Sequence, residues 1–122
     1  MMYERGDLLL VPYPFTDLST TKRRPVLALT PADSQGDFIA LPVTSRPQRR
    51  NALALSEQAL VAGSLPAASW VRTDRVITLH VSLITKVFGR AAGTIVAAAA
   101  AQVCSYIGHT RHDRAAEDSA LS

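Results

Sequence analysis

The sequence predicts a mostly β protein with one C-terminal α-helix, its strands bent into a small, strongly curved sheet or barrel. Three observations point there. Apolar runs of four to seven residues alternate with clusters of Gly, Pro, Asp, Ser and Thr along most of the chain. Runs of that length between turn formers are strands. A single stretch, Thr94–Ile107, is long and alanine-rich enough for a helix. The chain has 122 residues, which makes one domain with room for one core. Many short strands and one terminal helix pack best as a sheet that curls on itself.

The elements follow in order. Gly6-Asp7 precedes the apolar run Leu8–Pro12, the first strand. YPFTDLSTTK, Tyr13–Lys22, holds a proline and several hydroxyls and reads as a loop. Pro25–Leu29 is the second strand; a proline at its first residue removes only one ladder donor. TPADSQGD, Thr30–Asp37, is dense in turn residues, and Phe38–Thr44 is the third strand. SRPQRRN is a second basic loop, and Ala52–Leu55 a short strand. SEQALVAGSLP reads as a loop or a single helical turn. Ser69–Thr73 alternates and is a further strand. DRVITLHVSLI fits a short turn of helix, followed by a strand through Lys86-Val87-Phe88-Gly89. Thr94 can cap the helix and Gly108 can stop it. The domain is expected to span residues 1–110, with a polar, disordered tail over 111–122. No internal repeat is present.

Composition sets limits. Hydrophobic residues make up 48% and charged residues 19%, the balance of a folded chain. Thirteen Lys and Arg against ten Asp and Glu give +3, which permits an anionic partner without demanding one. A single cysteine, Cys104, excludes an internal disulfide and suits a reducing compartment. No long apolar run follows a basic start, so no signal peptide is expected. The apolar stretch Ile95–Val103 is broken by Gln102 and too short to span a bilayer. A cytoplasmic protein without membrane contact is the expectation.

The chemistry concentrates at TKRRPVLALT, where Lys22, Arg23 and Arg24 stand at the mouth of an apolar strand. If strands two and three form an antiparallel hairpin with Pro31 facing Asp37, Arg24 lies opposite Thr44. A slip of one residue sets Arg24 opposite Val43, with Thr44 adjacent. Opposed residues have Cβ atoms roughly 5 Å apart. Lys22 and Arg23 from one side, and Ser45, Arg46, Arg49 and Arg50 from the other, would then converge on one edge. Guanidinium forks bind phosphate oxygens in pairs and stay charged. Beside a hydroxyl they could hold the charge of a pentavalent phosphorus formed by RNA's own 2′-hydroxyl. Arginines flanking a strand are, however, more often a solvated rim that keeps a sheet edge soluble.

The ordered set RGDLLLVPYPF, TDLSTTKRRPVLAL, GDFIALPVTS and SWVRTDRVITL resembles the MazF/PemK-like toxin family of bacterial type II toxin–antitoxin systems. The resemblance runs from about Arg5 to about Gly89. It implies a small SH3-like barrel with a C-terminal helix, usually a homodimer. It also implies a metal-independent, cofactor-free endoribonuclease that cuts single-stranded RNA, often mRNA, at short sequences. The implied products carry a 2′,3′-cyclic phosphate or 3′-phosphate and a 5′-hydroxyl. An antitoxin with an acidic disordered segment is the implied partner. The family's catalytic arginine and threonine fall on Arg24 and Thr44. Many relatives carry Gly-Ser-Glu-Gln in the loop before the arginine; here DLSTTK stands there, with Ser19 or Thr20 near that place and Asp17 the nearest acid.

Other residues weigh less. Lys22, Arg23, Ser45, Arg46, Gln48, Arg49, Arg50 and Arg72 are candidate RNA contacts, Arg72 and Arg75 reading equally as solvated charges. Trp70 could stack a base but is more often core in an alternating strand. His80, among apolar residues, reads as structural, and Cys104 as a small residue on the helix's buried stripe. His109 and His112 form a poor metal pair in a polar tail. Leu60, Val61 and Leu65 are candidates for a subunit interface. Two other functions fit the same barrel: a non-catalytic module that binds RNA or an antitoxin, and a gyrase-inhibiting toxin. The charged tail disfavours the second.

Overall fold

The computed structural model describes residues 2–12 and 22–108. Eight strands form one sheet: β1 (Asp7–Pro12), β2 (Arg23–Ala28), β3 (Asp37–Thr44), β4 (Ala52–Leu55), β5 (Leu60–Gly63), β6 (Ser69–Arg72), β7 (Ile77–His80) and β8 (Lys86–Ala91). The helix α1 (Gly93–Tyr106) follows. The order is β4-β6-β3-β2-β1-β8-β5, with β7 pairing β3 off that path. The architecture is a curled half-barrel of antiparallel strands with a C-terminal helix, as the sequence predicted.

The central strands are buried on both faces, which explains their unbroken apolar runs. Leu8, Leu27, Leu41 and Val43 point to one side, where they meet Val71, Ala91, Val96 and Ala99. Leu9, Val11, Val26, Ala28, Phe38 and Ala40 point to the other, against Leu79 and Ile84. Alternation along each strand thus feeds two cores. Helix α1 covers the first through Val96 and Ala99, helped by Ile95 and Val103.

Bulges supply the curl. β8 shifts register against β1 between Leu8 and Leu9, and against β5 between Leu60 and Ala62. An extra residue on one strand bends the ladder and tightens its twist. At Gly63 (φ 79°) a Cβ would collide with the carbonyl oxygen of Phe88 and come within 2.6 Å of Gly89 Cα, so only glycine allows the strands this close. The Gly6-Asp7 pair is the other fixed point. Gly6 (φ 96°) donates to Ala28 O at 2.8 Å and accepts from Ala91 N at 2.9 Å. Asp7, 4% exposed, accepts from Glu4 N (2.8 Å) and Arg90 Nε (2.9 Å). Arg90 also pairs with Glu4 at 2.6 Å. The hydrogen bond to Asp7, more than any other cause, raises the pKa of Arg90 above its usual value.

Several expectations are corrected. β2 begins at Arg23, so Arg23 and Arg24 are strand residues, paired with Pro12 and Val11 of β1. SEQALVAGSLP contains a 3₁₀ turn, Glu57–Ala59, and then β5. DRVITLHVSLI runs strand first: β7, then a 3₁₀ turn at Val81–Leu83. Thr94 does not cap α1. Ala92 takes that position with no side-chain cap, its N–H held by Ala59 O at 2.7 Å and its carbonyl accepting from Ile95 and Val96. The backbone of the 3₁₀ turn Glu57–Ala59 thus helps set the helix start. Cys104 is exposed. It lies five residues past buried Ala99, which turns it about 140° away at 100° per residue. Leu65 is a core residue; Val61, 63% exposed, stays outside. The expected tail, residues 111–122, with His109 and His112, lies outside the described residues.

Candidate functional site

The β2–β3 hairpin has the predicted register. Val26 faces Pro42, Leu27 faces Leu41 and Ala28 faces Ala40. Two more steps along that register set Arg24 across from Thr44. Both residues fall on the face of Val26, because side chains alternate with period two.

The β2–β3 ladder stops before that rung, for a reason visible in the sequence. Leu29 N donates to Ile39 O at 2.8 Å, so the odd-numbered residues of β2 aim their N–H groups at β3. Pro25 is the residue on that side with no N–H to give. Pro42 plays the matching part on β3. Asp37 to Ala40 pair with β7, whereas Val43 and Thr44 pair with Val71 and Trp70 of β6. Pro42 sits in the gap where β3 changes partner. The two prolines therefore open the sheet at the place where the arginines begin.

Thr44 is half-buried, opposite Trp70. Its Oγ1 accepts from Arg46 N at 3.1 Å, which fixes the hydroxyl and leaves its proton free to donate. Lys22, Arg23, Arg24, Ser45 and Arg46 are exposed around it in sequence. Gln48 is half-buried and donates from Nε2 to Arg46 O at 3.0 Å, which folds the loop back on itself. Trp70 is half-buried between Thr44 and Ala54 on its flanking strands. The alternation in SWVRT places it on a strand, but its position beside Thr44 depends on β3 switching partners.

The rest of the predicted basic cluster divides. Arg49 and Arg50 line a polar recess of about 280 Å³ with Asn51, Ala52, Thr73, Gln102, Ser105 and Tyr106. Neither Arg24 nor Thr44 lines it. Arg72 is held by Asp74 through two bonds, Nε–Oδ1 at 3.1 Å and Nη2–Oδ2 at 2.8 Å, so its charge is already matched. Asp17, Ser19 and Thr20 lie outside the described residues. His80 is exposed and not packed among apolar groups. Its Nδ1 accepts from Ser82 N (3.1 Å) and its Nε2 meets Gln35 O (3.1 Å), so it ties two turns together. Among the described residues no group of three or more His, Cys, Asp or Glu could hold a metal ion. No helix there is long and apolar enough to cross a membrane.

The sequence model of PemK-like, MazF-like toxins of type II toxin–antitoxin systems matches residues 4–107. The chain belongs to this family. No curated protein sequence matches it. Its fold is that of the MazF toxin in a MazE–MazF crystal structure (Form-II) from Deinococcus radiodurans, with a TM-score of 0.70 at 21% identity, over 90% of this chain and 99% of that one. Toxin MazF-mt6 of Mycobacterium tuberculosis is similar with a TM-score of 0.64 at 18% identity, over 81% and 93% of the two chains. An endoribonuclease in complex with its cognate antitoxin from a mycobacterial species is similar with a TM-score of 0.64 at 16% identity, over 89% and 98%. In this MazF-like toxin the β2–β3 register, continued by two residues, puts Arg24 and Thr44 on one face.

Proposed function

We propose that this toxin is a metal-independent endoribonuclease acting on single-stranded RNA, with Arg24 and Thr44 as its catalytic pair. One observation carries the reading: the β2–β3 register, continued by two residues, sets Arg24 opposite Thr44 where the sheet opens. In the proposed step the 2′-oxygen of a ribose attacks the adjacent phosphorus. The bond from phosphorus to the 5′-oxygen breaks, leaving a 2′,3′-cyclic phosphate. The 2′-hydroxyl proton is lost, and the departing 5′-oxygen takes up a proton to become a hydroxyl. Arg24 offsets the extra negative charge on the non-bridging oxygens. Thr44 donates its hydroxyl proton to one of those oxygens, steadied by the bond from Arg46 N. The nucleophile belongs to the substrate, so no water has to be activated. Asp17, which precedes β2 in the sequence, is the acid nearest in sequence for the proton transfer, with Ser19 and Thr20 close by in sequence.

Lys22, Arg23, Ser45, Arg46 and Gln48 would carry flanking nucleotides. An antitoxin with an acidic segment would compete for the same cations, and a homodimer in the cytoplasm is the proposed working form. Two similar solved structures, one of MazE–MazF and one of an endoribonuclease with its cognate antitoxin, support that kind of partner.

The test is incubation of the purified chain with a long single-stranded RNA in EDTA, beside Arg24→Ala and Thr44→Ala, followed by mapping of the ends. Cuts by the wild type that leave 5′-hydroxyl ends, and vanish in Arg24→Ala, support the reading. Intact RNA that still binds in a salt-dependent way removes the catalytic claim and leaves a docking surface.

A further inference from the structure

The recess at the end of α1 is not absorbed by this mechanism. Its chemistry is one-sided. Arg49 and Arg50 supply guanidiniums, Asn51 and Gln102 amides, Ser105 a hydroxyl and Tyr106 an aromatic ring; no carboxylate among the described residues lines it. Among the described residues neither arginine makes an ion pair or a hydrogen bond from its side chain.

An ordinary account exists for arginines at this place. Cations near a helix C-terminus are stabilised by its last carbonyls. Here two of those carbonyls are served by the backbone: Val103 O accepts from Ile107 N at 3.1 Å, and Ser105 O from Gly108 N at 3.1 Å. Among the described residues neither guanidinium bonds a carbonyl of that helix end.

The floor of the recess is built. Thr73, 1% exposed, donates its hydroxyl to Gln102 Oε1 at 3.0 Å. Gln102 is thereby fixed in one orientation, and its Nε2 has no protein partner among the described residues. Thr73 N donates to Asn51 O at 2.9 Å, which pins the loop at Asn51 (φ 55°), beside the two arginines. Tyr106, 57% exposed, forms the helix-end wall. Two exposed cations, a fixed amide donor and an open aromatic face together suit a phosphate attached to an unpaired base. At about 280 Å³ the recess lies near the lower end of ligand-site sizes, which fits one nucleotide and not a strand.

We propose that the recess lined by Arg49, Arg50, Gln102 and Tyr106 is a second binding site, which takes one unpaired RNA nucleotide with its phosphate on the arginines and its base on the tyrosine ring. It rests on RNA being the ligand, as proposed above, but not on the chain cutting it. An RNA segment bound at both places is held outside the reacting phosphate, so this recess contributes to affinity and to the choice of sequence.

The experiment uses the full chain and a fluorescent, uncleavable single-stranded oligonucleotide of about eight 2′-O-methyl residues, within the range of known single-strand site sizes, containing one 4-thiouracil. Anisotropy titrations over a salt series give Kd and its salt slope. Near-ultraviolet cross-linking, read by peptide mass spectrometry, gives the contact. Tyr106→Leu should weaken binding roughly tenfold, the loss expected for one base–aromatic stack, and Tyr106→Phe should keep it. Arg49→Ala and Arg50→Ala should each flatten the log–log salt slope by up to about 0.7, one single-strand phosphate. The cross-link should fall on the peptide carrying Gln102 to Tyr106. These side chains are exposed or line the surface, and a thermal melt of each variant checks that it is folded. If the wild type binds but all three truncations keep its Kd and slope, and cross-links map elsewhere, the recess site is wrong while RNA binding stands. If the wild type binds no oligonucleotide, both readings fall. If a polyglutamate peptide binds and is lost in these variants while oligonucleotide binding is not, the recess is an acidic-peptide site and the proposal is overturned.

Discussion

Replacing Gly6 by alanine tests the claim that the Gly6-Asp7 turn locks β1, β2, β8 and α1 together. The cost has two sources. At φ 96° a Cβ-bearing residue is strained, by about 1–2 kcal/mol. The new methyl would also sit 3.1 Å from Val96 Cγ2, a buried helix side chain, so Val96 must shift within a packed core, at about 1 kcal/mol or more. The stiffer unfolded chain returns roughly 0.4–1 kcal/mol. The net is a loss of about 2 kcal/mol. For 122 residues the unfolding entropy is roughly 0.26 kcal/mol per degree, so Tm should fall by about 8 °C. Gly93→Ala is the matched control. Nothing lies within 4 Å of a Cβ there, and the residue opens a helix. It should cost nothing and can gain up to about 1 kcal/mol. The measurement is a pair of calorimetric melts. Equal Tm values for the two variants would refute the reasoning, since both make the same chemical change.

Other outcomes follow from the same structure. Thr44→Val keeps the strand and removes the donor; RNA cleavage in EDTA should drop on the order of 10²–10³-fold with Tm unchanged, and retention of wild-type rates would remove Thr44 from the mechanism. Asp7→Ala removes the acceptor of Glu4 N and Arg90 Nε and should cost about 2 kcal/mol in urea titrations, more than the exposed control Glu57→Ala. Burial, and secondarily the charge of Asp33, raises the pKa of Tyr3 above 10.0. The folded state therefore holds that proton more tightly, so this contribution is present below pH 10.0 and is lost as pH rises past it. Stability followed above that pH should fall less steeply in Tyr3→Phe; identical slopes would show that Tyr3 contributes nothing. Arg72→Ala should leave the salt slope of RNA binding unchanged, because Asp74 already offsets that charge; a flattened slope would show that Arg72 reaches a phosphate.

The sequence was most legible where local chemistry forces one solution. TPADSQGD fixes a turn, and with apolar residues on both sides of the hairpin the register follows, which is why Arg24 and Thr44 could be set opposite one another in advance. The four-residue strands β5 and β7 were not legible. LVAG and ITLH are too short for periodicity to separate strand from turn, and their pairing is decided by distant partners, Gly89 and Phe38 among them. Cys104 was misread because an alanine-rich helix offers little contrast between its faces; only packing of Val96 and Ala99 reveals which side is covered. The recess brings together residues 49–52, 73, 102, 105 and 106, and nothing within any of those segments signals the others.

Burial of the central strands on both sides also bears on how such a chain can diverge. A position in the middle of β1, β2 or β3 has no solvent-facing side on which to drift, so change there must be compensated by a neighbour across the layer. Freedom is left at the strand ends and in the connections. These are also the segments that carry Lys22 to Arg24, Ser45 to Arg50 and the loop side of the recess. Lineages can thus exchange recognition segments while the scaffold persists, and a shared shape at about one identical residue in five, as with the Deinococcus radiodurans toxin, is the expected trace.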